Sequence, residues 1–183
     1  GRKLYMLIGN DIAVFSAHTN YDAMPDGMGD SAAALMELVD VSPLEPMNDG
    51  LEDPWGIGVV GNLMNPVTLA DFCDMVKENF GLKHVNLFAA GDMEDAVQRV
   101  AICPGSGRSM FNEVIRSQAD VFLSGDIGHH EGLDLVDMGI SVVDAGHFGL
   151  EHIFVPIMAN MLSEAFPELE ILTAKPVSPF KVL

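Results

Sequence analysis

Short β-branched apolar runs alternate with helical patterns along nearly the whole chain, which restricts it to an α/β (α+β layered) fold with largely buried sheets. "IAVFSA", "WGIGVVG", "HVNLFAA", "RVAIC", "DVFLSG" and "ISVVDAG" read as strands, and "ELEILTA" as a final one. "DSAAALMELV" reads as a helix with Asp30 or Ser31 as N-cap, and "TLADFCDMVKENFG" as one capped by Thr68 and stopped by Gly81. Further helices fall near 109–118, 127–138 and 149–166, and Pro156 should bend the last. The chain opens without Met on "GRKLYMLIGN", which resembles the middle of an amphipathic helix with Leu4, Leu7 and Ile8 as its stripe. Sequence upstream of it is therefore expected. Residues 42–54, rich in Pro, Gly and acid, are the one linker-like stretch. They divide residues 1–50, the remainder of an N-terminal lobe, from residues 51–183, a C-terminal lobe.

An apolar fraction of 49% is ample for a packed core. The formal charge of −18 argues against a nucleic-acid backbone or an anionic membrane as partner, because like charges repel. Acids turned inward instead suit divalent metals. Cys73 and Cys103 form neither a disulfide framework nor a CxxC clip, which fits a reducing, cytoplasmic compartment. No run reaches membrane-span length, and no signal peptide is visible.

Sites in open α/β sheets gather at the carboxyl ends of strands, and polar clusters fall there. His18 and Asp22 follow "IAVFSA"; they read either as a turn in which Asn and Asp bond the local backbone or as metal ligands. In "DAGHFGLEH", residues 144–152, a helix starting near His147 would put His147 and Glu151 on one face, a common arrangement for a divalent metal. His152 would face elsewhere. In "SGDIGHHEG", residues 124–132, His129 and His130 diverge by roughly 100° on a helix, so they would not share an ion. "GIGVVG", residues 56–61, matches GxGxxG but lies within a strand, against a dinucleotide site. "CPGSGRS", residues 103–109, could cradle an anion with help from Arg108; Cys103 reads as packing and Ser106 as no nucleophile.

"SAHTNYDAMPDGMGD" and "VDAGHFGLEHIFVPIMANML" resemble the central and C-terminal signatures of the NIF3-like family, also called GTP cyclohydrolase I type 2 homologues. "WGIGVVGNLMNPVTLADFCDMVKENFGL", "RVAICPGSG" and "ADVFLSGDIGHHEGLDLVDMGI" fall between them in the family's order. The resemblance implies similar α/β lobes flanking a dinuclear metal cleft, in a homohexamer. Asp22, His147 and Glu151 would ligate the metals, with His18 lining the site and His130 nearby; either histidine could shuttle protons. By ligand type the ions could be Zn, Fe, Mn or Ni. The family's N-terminal His-His pair, which completes the metal site, has no counterpart here, because this sequence starts downstream of it. The family label implies a metal-dependent hydrolase acting on a nucleotide or cyclic amide. The alternatives are a non-catalytic, metal-binding regulatory module working through protein partners, or a mainly structural oligomer.

Overall fold

The structure of the protein is a computed structural model, and it describes residues 1–48 and 54–181. Its strands are β1 (Val39–Pro46), β2 (Gly56–Thr68), β3 (Asn86–Phe88), β4 (Ala96–Ser106), β5 (Val121–Gly125) and β6 (Ser141–Asp144). They form a six-stranded sheet in the order β1-β2-β4-β5-β6-β3. The β4–β5 and β5–β6 pairs are parallel; β1–β2, β2–β4 and β3–β6 are antiparallel. The helices are α1 (Arg2–Gly9), α2 (Thr19–Ala23), α3 (Met28–Leu35), α4 (Leu69–Asn79), α5 (Phe111–Ser117), α6 (His129–Asp137), α7 (His147–Glu151) and α8 (Phe154–Ala165). A 3-10 turn over Gly107–Met110 joins β4 to α5.

The period-2 alternation of the central strands explains why helices cover both faces. Val100, Ile102, Val121, Leu123 and Val143 face one way, against Ala32, Phe72, Val76 and Leu150 of α3, α4 and α7. Ala101, Phe122 and Val142 face the other way, against Val114 of α5 and Leu135 of α6. Every residue of β5 is buried, as a parallel strand covered on both sides requires. The α/β class expected from the sequence is therefore the one observed.

Several elements differ from their sequence reading. "IAVFSA" forms no strand: Ile12, Val14 and Phe15 are 55%, 66% and 84% exposed, and the segment pairs with no strand among the described residues. β-propensity measures fit to a half-buried pleated surface, and here there is none to fit. "ELEILTA" likewise forms no strand, and Leu172 is 83% exposed. Residues 42–46 of the linker-like stretch belong to β1; as an edge strand it accommodates Pro43 and Pro46, which cannot donate to a ladder. Residues 49–53 of that stretch lie outside the described residues. Helix α3 starts at Met28, ahead of the expected Asp30 or Ser31 cap, and Asp30 Oδ2 accepts the Asp26 N–H at 2.8 Å. The helical pattern near 149–166 splits into α7 and α8 just ahead of Pro156, whose missing N–H and ring interrupt the helix there. Helix α4 keeps its expected cap, Thr68 Oγ1 accepting the Asp71 N–H at 3.0 Å. Among the described residues no helix is long and apolar enough to cross a membrane.

Candidate functional site

The parallel strands β4, β5 and β6 end side by side, and the loops that leave them carry the chemistry. At the end of β6, Asp144 accepts the N–H groups of Gly146 (Oδ1, 2.8 Å) and Ile127 (Oδ2, 3.2 Å), which ties the exits of β5 and β6 together. Gly146, at φ +76°, turns the chain sharply into α7. Helical spacing then sets His147 and Glu151 one turn apart, with Nε2 and Oε2 separated by 3.1 Å. The other imidazole nitrogen, Nδ1, lies 2.9 Å from Oδ2 of Asp126, in the loop after β5. A proton on Nδ1, donated to that carboxylate, leaves Nε2 free to accept or to ligate.

Across from α7, the short helix α2 begins beside His18 and carries Asp22. Both line a cleft of about 250 Å³ with Gly105, Ser106, His147 and Glu151. The end of β4 passes close beneath: a Cβ on Gly105, at φ +78°, would sit 2.6 Å from Glu151 Oε1. Any side chain there would displace the carboxylate.

The electrostatics fit a shared, partly desolvated site. Burial raises the Asp22 carboxyl above its usual value, opposed by the nearby His18 and His147. Burial also raises Glu151, opposed by His147 and reinforced by the negative charge of Asp22. Desolvation alone would lower His147, but its bond to Asp126 and the charge of Glu151 outweigh that and raise it. Burial pushes the Cys103 thiol up to about 12, so it stays neutral and lines the cleft as a packing group.

The sequence-predicted residues therefore separate. His18, Asp22, His147 and Glu151 are brought together. His129 and His130 stand exposed in the first turn of α6, and His130 does not line the cleft. His152 turns its ring onto Phe148 and its Nδ1 toward the Gly149 carbonyl, at 3.0 Å. The "CPGSGRS" segment is the end of β4 and the 3-10 turn that follows it. Its Gly105 lies against the Glu151 carboxylate, which an anion would meet as a like charge, and Arg108 pairs with Glu131. "GIGVVG" lies inside β2, within a strand as its sequence reads. Asp126 is the residue that sequence reading missed. The available signal was an acid directly after a strand, and the structure puts it at φ +57°, a conformation Asp tolerates better than most residues.

A divalent metal is the natural ligand of an imidazole and a carboxylate so placed, and the donor chemistry fits one. The ligand count falls short: among the described residues no three His, Cys, Asp or Glu side chains are arranged to hold an ion. The His147–Glu151 pair and Asp22 line one cleft and supply imidazole and carboxylate donors to it.

Similarity to known proteins agrees with this reading of the fold. The sequence profile of Duf34/NIF3 (NGG1p interacting factor 3) matches residues 1–178. A Clostridium acetobutylicum protein named GTP cyclohydrolase 1 type 2 homolog is 35% identical over 94% of this chain and 63% of its own length. A Clostridium perfringens protein of the same name is 30% identical over 100% of this chain and 69% of its own. This chain thus spans less than two thirds of the first relative's length. Reduced HcgD from Methanocaldococcus jannaschii superposes with a TM-score of 0.73 at 31% identity, covering 89% of this chain and 61% of that one. A Bacillus cereus protein related to NIF3 superposes with a TM-score of 0.86 over 96% of this chain and 75% of that one; at 19% identity it supports the fold alone. With the family profile running from residue 1 to residue 178, the chain belongs to the Duf34/NIF3 family.

Proposed function

We propose that this chain carries part of a dinuclear divalent-metal centre, and that its whole protein is a metal-dependent hydrolase acting on a nucleotide or a cyclic amide. The observation that carries the proposal is the orientation of His147: Nδ1 is engaged by Asp126 and Nε2 is turned toward Glu151, on a cleft that Asp22 shares. A carboxylate behind a ligating imidazole is the usual means of fixing its tautomer and raising its basicity. Asp22, His147 and Glu151 would hold the metal, which could be Zn, Fe, Mn or Ni by donor type. When bound, such a metal lowers the pKa of a water and polarises the bond under attack. His18, on the rim of the cleft, is placed to exchange protons with whatever occupies it. His130 stands outside the lining, and the proposal gives it no role. The relatives named GTP cyclohydrolase 1 type 2 homolog support a heterocyclic substrate. The proposal extends to a cytoplasmic homohexamer.

The test is turnover. Metal-reconstituted protein is incubated with a panel of nucleotides and small cyclic amides, and ring opening is followed by ultraviolet absorbance. Metal-dependent turnover that falls at least about a hundredfold in Glu151→Ala supports the proposal. Ligand binding without metal-dependent turnover would overturn it, in favour of the interaction module that the family's name, NGG1p interacting factor 3, describes.

A further inference from the structure

The cleft beside His147 and Glu151 does not end at Asp22. A second cavity, of about 190 Å³, shares Asp22, Gly29 and Gly58 with it and runs on to Trp55. Trp55, Pro25 and Pro43 contribute apolar side chains to its lining, and Asp30 adds a carboxylate. Asp30 already accepts the Asp26 N–H through Oδ2, and a carboxylate can accept several hydrogen bonds.

Among the described residues, the imidazoles of His18 and His147 are the only groups lining the two cavities that can carry positive charge. None of the chain's nine Lys and Arg lines either one. Lys77 pairs with Asp74, Arg108 with Glu131 and Arg116 with Glu113, and Arg99 donates to the Ser117 carbonyl at 2.6 Å. The net charge of −18 adds a long-range field that repels anions. A polyphosphate is ordinarily recognised by Arg forks or Lys, and this groove offers neither. It offers instead an indole, a side chain suited to stacking, and carboxylates that accept N–H donors.

We propose that the groove from Trp55 to His147 takes an uncharged, planar nitrogen heterocycle, stacked on Trp55 with its N–H edge on Asp30, and that it discriminates against a polyphosphate tail. This rests on the hydrolytic site proposed above and names its substrate class: the free base or nucleoside level of a purine- or pterin-like ring, below the triphosphate. Asp30 and Trp55 are then specificity residues at one end of the groove, and the reacting bond lies toward Glu151.

Trp55 is the chain's sole tryptophan, so its emission reports occupancy of the groove directly. Metal-free protein is titrated with guanosine and with GTP, with excitation at the red edge of the indole band. Calorimetry runs in parallel on the wild type and on Asp30→Asn, and metal content is measured separately on reconstituted samples. The expected result is saturable quenching by guanosine, at least about tenfold weaker binding of GTP, and about a tenfold loss of guanosine affinity in Asp30→Asn. GTP binding as tightly as guanosine, or no saturable response to guanosine, would overturn the inference. Protein that binds guanosine but takes up no metal would sink only the metal reading and leave this inference standing. Protein that takes up metal but ignores guanosine would sink only this inference.

Discussion

His147 is the residue on which the site turns, because both of its ring nitrogens have partners: Asp126 at 2.9 Å and Glu151 at 3.1 Å. The His147–Glu151 half of this arrangement was legible in the sequence, since i,i+4 spacing on a helix fixes neighbours wherever the helix lies. The Asp126 half was not, because it depends on β5 and β6 lying side by side, which brings together residues 21 apart in the chain. Replacing Asp126 with Asn should lower metal affinity by about 10–100-fold, measured by chelator competition, with little change in circular dichroism. Unchanged affinity would remove Asp126 from the site. Asp22, Glu151 and His147 are all raised above their usual values, so in each the folded chain holds a proton that the unfolded chain releases more readily. Their stabilising contribution is present below the unfolded values and lost as pH rises through the folded ones. For His147 that loss begins above about pH 6.5. The melting temperature of metal-free protein should therefore fall more between about pH 6 and about pH 8 than that of His147→Gln, as read by calorimetry. Equal slopes would contradict the raised value.

At the level of elements, the sequence was most informative where a single rule decides. Helix α4 has its stop and start written in Gly81 and Thr68, and both act as read. Thr68→Ala should cost about 1 kcal/mol in urea unfolding, and a change within error would show that the cap is dispensable. The buried stretches of β4, β5 and β6 were legible as short apolar runs containing β-branched residues. "IAVFSA" has the same composition without a strand beside it, and composition cannot reveal whether a neighbour exists. The reverse error occurs at β1, where prolines that mark a loop elsewhere are tolerated because only one side of the strand is paired. One consequence reaches the site. Asp22 is not delivered by a strand end, as the sequence suggested; it sits on α2, whose Tyr21 is anchored in the core and packs edge-on against Phe154 of α8 at 5.1 Å.

Across the whole molecule, one sheet with a core on each face holds the exits of β4, β5 and β6 in register, and α2 closes over them from the start of the chain. The site therefore draws on residues from 18 to 151, and a fold that shifted any of these segments would separate its ligands. The surrounding charge of −18 favours cations in that cleft and disfavours anions. The most direct measurement is divalent metal bound per chain after reconstitution, by mass spectrometry, in the wild type and in four variants. Asp22→Ala and Glu151→Ala should each lose metal, while Cys103→Ala and His152→Ala should match the wild type. Full metal content in Asp22→Ala and Glu151→Ala would show that the metal, if bound, sits elsewhere, and would contradict the assignment of this cleft.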